Sequence, residues 1–228
     1  MVELAYWISQ RRFDEYLAAA HYDSEDARVL YEWNVSVSGA FFELICHVEV
    51  ALRNAVDGIL SPLEMASSAR VEEARGWWFA SATFLRESEL VFSRTASRHL
   101  VDRTKPASRD RMLASMTFGI WDAMFGRSYE LLFRKHLVHA FPYRNAGFTR
   151  AVVKQNVLVL KNLRNRIAHH QPIFDRPLDE YFTQAMDLLR WISPDLADWV
   201  QAQSRIPDLL AQRPVGTESM ARIDHDSG

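Results

Sequence analysis

The segment from Lys161 to Pro172 holds the residues best suited to chemistry in this chain. Arg164, Asn165 and His169 stand in the order Arg-Asn-x-x-x-His, with His170 directly after. A neutral imidazole can take the proton from a ribose 2′-OH, whose oxygen then attacks the adjacent phosphorus. A guanidinium, charged at every working pH, can stabilise the negative charge that gathers on the phosphoryl oxygens. An asparagine can orient either group through its amide. The chemistry would be metal-free RNA cleavage, and the need for a 2′-OH makes DNA a non-substrate. Arg-x4-His by itself is uninformative: Arg94/His99 and Arg134/His139 also satisfy it, and about one chance match is expected at this composition. Requiring asparagine after the arginine lowers the chance expectation to about 0.02 per chain. Arg164 alone meets that requirement.

Placement adds a second reason. Val153, Val157, Leu160 and Ile167 recur at helical spacing, and Arg164 falls in the middle of their stripe. A guanidinium aimed at a core is costly unless it is paired or faces a wet cleft. The plainer role for His169 and His170 is helix C-terminal capping, where an imidazolium meets the negative end of the dipole; the asparagine and the inward arginine tilt the balance toward chemistry. Arg164 and His169 lie about 140° apart on an ideal helix. They can share one phosphate only if the helix ends before His169 or a second subunit completes the site. Pro172 favours the first option, because it disfavours helix at Gln171. Glu49 and Arg53 form a further i, i+4 pair off the main apolar face of an earlier helix. They make either an ordinary surface ion pair or a brace for the site.

Other chemistries lack support. The histidines show no metal-ligand spacing, Cys46 is the single cysteine, and Gly119 and Gly126 sit in a helical pattern rather than a phosphate loop. No serine-hydrolase signature is present. No metal or other cofactor is therefore expected.

The elements that must position these residues read as helices. Val37, Phe41, Leu44, Ile45, Val48, Leu52, Ala55, Val56 and Ile59 predict one long helix over 35–60, ended by Ser61-Pro62. A second helical segment is expected over 116–141, with Gly119 and Gly126 inside it, and a third over 149–170. Shorter helices are expected near 10–20, 24–33, 85–101, 108–115, 177–192 and 195–204. Sustained period-two alternation is absent, which argues against a sheet. Residues 1–205 are expected to form one all-α helical bundle, and 206–228 a disordered tail.

The 228 residues are 48% hydrophobic and 25% charged, with 8 Gly and 8 Pro, which fits a globular helical chain and not a loop-rich one. The longest uninterrupted apolar runs are five residues, such as 4–8, against roughly 20 for a spanning helix. With no basic n-region at the start, a cytoplasmic location and no membrane partner are expected. The net charge of −2 excludes a uniformly basic nucleic-acid coat. It conceals an asymmetry: residues 1–85 carry −7, residues 86–169 carry +10 and residues 170–228 carry −5. The basic block is either a footprint for a phosphate backbone or is neutralised by the acidic blocks around it.

Several stretches resemble one family. Leu30-Tyr31-Glu32-Trp33-Asn34, His47 to Asn54, Thr117 to Trp121, Leu163 to Phe174 and Trp191 to Pro194 together resemble the Abi-like (AbiD/AbiF-type) bacterial proteins, within the wider HEPN superfamily. The resemblance spans most of residues 9–200. It implies an all-α HEPN-like bundle with additional short helices and a ribonuclease site composite at a homodimer interface. Carried over, Arg164, Asn165 and His169 are the catalytic set, with Glu49, Arg53 and His170 in support. The resemblance further implies abortive infection or toxin–antitoxin biology, an RNA substrate, and a noncoding antitoxin RNA or protein antitoxin as partner. Gln171 departs from relatives with Glu at that place, and from those that carry a modifiable Tyr two residues after the histidine. Two alternatives stay open: a noncatalytic RNA-binding module of the same fold, and a helical protein-interaction domain.

Overall fold

A computed structural model describes residues 4–67, 109–114, 116 and 118–214. It is all-α, with no strand among the described residues. The order is α1 Leu4–Ile8, α2 Gln10–Ala19, α3 Ser24–Ser67, α4 Arg109–Ala114, α5 Phe118–Met124, α6 Glu130–Lys135, α7 Arg150–Ala168, α8 Leu178–Ile192, α9 Pro194–Gln203 and α10 Ile206–Ala211. Single 3₁₀ turns at Arg127–Tyr129 and Leu137–Ala140 flank α6.

The axis of the molecule is α3. Its 44 residues make a rod about 66 Å long at the α-helical rise. Asp23 starts it, its carboxylate accepting from the backbone N–H of Glu25 and Asp26. Val37, Phe41, Leu44, Ile45, Val48, Leu52, Val56 and Leu60 are all buried along one face. Helices α2, α7, α8 and α10 pack against this rod. By length and composition α3 could also cross a bilayer, a property that the short uninterrupted apolar runs of the sequence conceal. In this fold its apolar stripe is packed inside the protein core.

Four expectations are corrected. The segments at 24–33 and 35–60 are one helix, because Asn34 between them is buried and hydrogen-bonded and does not act as a breaker. The helix also runs through Pro62 to Ser67. Leu60 is fully buried and Leu63 packs on the core; burying a leucine stabilises by roughly 1.5–3 kcal/mol, comparable to the ~3 kcal/mol cost of an interior proline. The segment 116–141 is broken into α5, α6 and the two 3₁₀ turns. Gly126 is extended, at φ −70° and ψ 165°, and a Cβ there would meet the Ala123 carbonyl oxygen at 2.9 Å. The break lets Phe125, Phe133, Phe141, Phe148 and Trp191 close into a chain of ring contacts. Finally, the expected tail begins with helix α10. Ile206 is buried, Trp33 Nε1 donates to the Leu209 carbonyl at 2.7 Å, and the Arg213 guanidinium lies over the Trp33 ring. The helix expected over 85–101 lies outside the described residues.

Candidate active site

Helix α7 carries the Arg-Asn-x-x-x-His set. Thr149 caps its start, its Oγ1 accepting from the Val152 N–H at 3.1 Å. Val153, Val157, Leu160 and Leu163 are buried, so the expected stripe is the face that meets the bundle. Arg164 sits within that stripe near its C-terminal end, half-buried. Its Nη1 reaches Asn165 Oδ1 at 3.5 Å, the outer edge of hydrogen-bond range. Asn165 itself is exposed.

Across the α3–α7 contact stand Glu49 and Arg53, both half-buried. Burial pushes the Glu49 carboxyl above its ordinary range, while the charges of Arg164 and Arg53 pull it back, Arg164 the more strongly. No ion pair within 4 Å joins Glu49 to Arg53 among the described residues. Arg53 instead reaches Asn54 Oδ1 at 3.4 Å. Glu49 thus lies within the electrostatic range of both Arg164 on α7 and Arg53 on its own helix, and burial outweighs the two charges.

The helix ends before His169, as the position of Pro172 led one to expect. Ala168 is the last helical residue, and His169 is the C-cap at φ −93° and ψ 11°. His170 is left-handed at φ 55°. The His170 N–H donates to the Ile167 carbonyl and the Gln171 N–H to the Arg166 carbonyl, both at 2.9 Å. This is the Schellman arrangement, with histidine where glycine is usual. Arg166 reinforces the turn by donating twice to the Pro172 carbonyl, at 3.2 and 2.7 Å. The two histidines thus terminate the helix through their backbone rather than through the expected imidazolium–dipole contact, and both residues are exposed. The structure brings Arg164, Asn165, Glu49 and Arg53 together. No hydrogen bond joins His169 to Arg164. His170 faces a different groove, beside Arg12 and Tyr31.

Two polar centres escaped sequence reasoning. Asp122 on α5 is buried and receives Lys161 Nζ at 2.6 Å and Lys154 Nζ on its other oxygen. Burial works against its charge, but the hydrogen bonds and charges of both lysines outweigh it and hold the carboxyl below its usual range. A single aspartate in the apolar run 118–125 facing two lysines seven apart was the available signal. Arg150 pairs with Glu130. Part of the basic block is therefore neutralised from within. Among the described residues, Arg166 and Asp175 at 4.0 Å make its one ion pair to a flanking acidic block. The second centre is Asn34, 5% exposed on the core side of α3. Its Oδ1 accepts from the N–H of Ile173 at 2.8 Å and of Phe174 at 3.1 Å, and its Nδ2 donates to Tyr16 Oη at 3.1 Å. It ties the segment after the histidines to the long helix.

No curated protein and no solved structure matches the chain. A family model described as Abi-like protein matches residues 3–175, a span that runs from α1 through the turn after His170 and contains every candidate site residue. The chain belongs to the Abi-like protein family.

Proposed function

We propose that this protein is a metal-independent endoribonuclease of the HEPN type, acting in abortive infection and active as a homodimer. Membership of the Abi-like family points to abortive infection; the ribonuclease assignment rests on the site. The observation that carries it is Arg164. A cation is retained half-buried on the core-facing stripe of α7, within electrostatic range of Glu49 and one turn before the helix ends ahead of His169. Purely structural packing would be better served by an aliphatic residue there.

His169 takes the 2′-OH proton, O2′ bonds to phosphorus, and the P–O5′ bond breaks, leaving a 2′,3′-cyclic phosphate and a 5′-hydroxyl. Arg164 neutralises the phosphoryl oxygens, oriented by Asn165. In a dimer the two copies of His169 divide the roles of base and of acid to the leaving oxygen, which meets the separation of Arg164 from His169 within one chain. The protein is expected in the cytoplasm, where an RNA or protein antitoxin restrains it. The test is cleavage of cellular RNA with EDTA present. Cyclic-phosphate ends, lost in Arg164→Ala and His169→Ala, support the reading. No cleavage, or cleavage unchanged in both variants, refutes it.

A further inference from the structure

Beside the candidate site, α2, α3 and the end of α7 enclose a groove of about 310 Å³. This is the low end of the range for small-molecule sites, roughly 300–1,000 Å³, and suits one nucleotide better than a folded partner. Arg12 and Tyr16 come from α2, Tyr31 and Ser38 from α3, and His170 and Gln171 from the turn that ends α7. The lining contains no carboxylate. Arg12 is half-exposed and makes no ion pair or hydrogen bond among the described residues. Tyr16, which lines the groove, is 1% exposed, and its hydroxyl accepts from Asn34 but donates to nothing among the described residues. Burial, with Tyr31, Glu15 and Asp175 nearby, holds that hydroxyl protonated far above neutrality, against the pull of Arg12. Tyr31 is half-exposed and stands edge-on to Tyr16 at 5.3 Å. His170 is held in the left-handed conformation that places it at this groove, one residue from His169; strain of that kind, roughly 1–3 kcal/mol, persists where surroundings over-determine it.

We propose that this groove is a nucleotide subsite for the RNA strand: the phosphate lies against Arg12 and the Tyr16 hydroxyl, and the base stacks on Tyr31 with its edge toward Ser38, His170 and Gln171. A cation and an unused donor suit a phosphate; an aromatic face suits a base without demanding its identity. The inference rests on the ribonuclease reading for its substrate, yet it is testable without cleavage.

The probe is a 5′-labelled, single-stranded 2′-O-methyl RNA 12-mer, which cannot supply the attacking hydroxyl, followed by fluorescence anisotropy. Tyr31→Leu, which keeps apolar bulk against Tyr16, should weaken binding about tenfold, whereas Tyr31→Phe should retain it. Arg12→Gln, at a half-exposed position, should weaken binding and lower the salt slope by about 1. Wild-type affinity in both the Tyr31→Leu and the Arg12→Gln proteins, or no binding by the unaltered protein at ~0.1 M salt, overturns the subsite. Competition by adenosine monophosphate as strong as by the unlabelled 12-mer overturns the strand assignment. His169→Ala separates the two readings. If it keeps RNA affinity but cleavage is unchanged, the nuclease reading falls and the subsite stands.

Discussion

Replacing Asn34 with alanine removes the clamp between α3 and the turn that presents His169 and His170. Two backbone N–H groups, those of Ile173 and Phe174, lose their acceptor, and both residues are buried, at 0% and 6% exposure. Water cannot easily replace the amide oxygen there. Each orphaned buried donor costs about 1–3 kcal/mol, so the variant should lose about 2–6 kcal/mol of stability. At ~2–4 °C per kcal/mol for a chain of this size, that lowers Tm by roughly 4–24 °C. Urea titration gives the free energy, and amide hydrogen exchange gives the location. Ile173 and Phe174 should lose protection first, ahead of core amides such as those of Val48 and Leu52. Tyr16→Phe is the control. It removes only the acceptor of the Asn34 Nδ2 donor and leaves both amide contacts, so about 1 kcal/mol is expected, with exchange at Ile173 and Phe174 unchanged. A loss below ~0.5 kcal/mol in Asn34→Ala, or unaltered exchange at those amides, refutes the clamp.

Asp122→Asn should cost about 1.5–3 kcal/mol at neutral pH, the range for hydrogen bonds to charged groups. Because the folded-state carboxyl lies below its ordinary value, that advantage of the unaltered protein is present above the unfolded pKa near ~4 and disappears as pH falls through the folded one; parallel denaturation curves at pH 7 and pH 3 check it. Glu49 has the opposite sign. Burial raises its folded carboxyl pKa, so its contribution favours folding below the unfolded pKa and is lost as pH rises through the folded one. Glu49→Gln should therefore raise Tm at pH 7, with the gain vanishing toward pH 4, while lowering RNA cleavage. His170→Gly places the residue that tolerates φ 55° at that position and should add about 0.5–1 kcal/mol of stability, measured by thermal melts, while RNA affinity falls.

What the sequence displayed, and what it concealed, follows from the range of each interaction. The core stripe of α3, the extent of α7 and the inward setting of Arg164 were readable because helical periodicity is local. The breaks at Gly126 and His136 were not, since they answer to the ring contacts that join Phe125, Phe133 and Phe141 to Trp191 far along the chain. Pro62 stopped the helix on paper because its local cost is known, whereas the burial of Leu60 depends on elements that come later. The site divides in the same way. Arg164 and Asn165 on α7, and His169 at its C-cap, stand close in sequence and were singled out from spacing. The coupling of Glu49 to Arg164, and the separation of His170 into the groove with Arg12 and Tyr31, exist only once α2, α3 and α7 are side by side. Asp122 and Asn34, each a lone polar residue in an apolar run, mark their roles by type but not by partner.

The hydrogen bond from Trp33 to Leu209 closes a span of 176 residues, and this has a consequence during synthesis. At the usual ~5–20 residues per second, α3 leaves the ribosome roughly 10–30 s before α10 does. Until α7, α8 and α10 follow, the parts of its apolar face that they cover lack those partners, and of the four helices named above only α2 is already in place. For that interval the nascent protein displays a helix of membrane-spanning length and composition. Transiently exposed apolar surface of this kind is prone to association, and the groove and the histidine turn cannot assemble before Gln171 to Phe174 have been made.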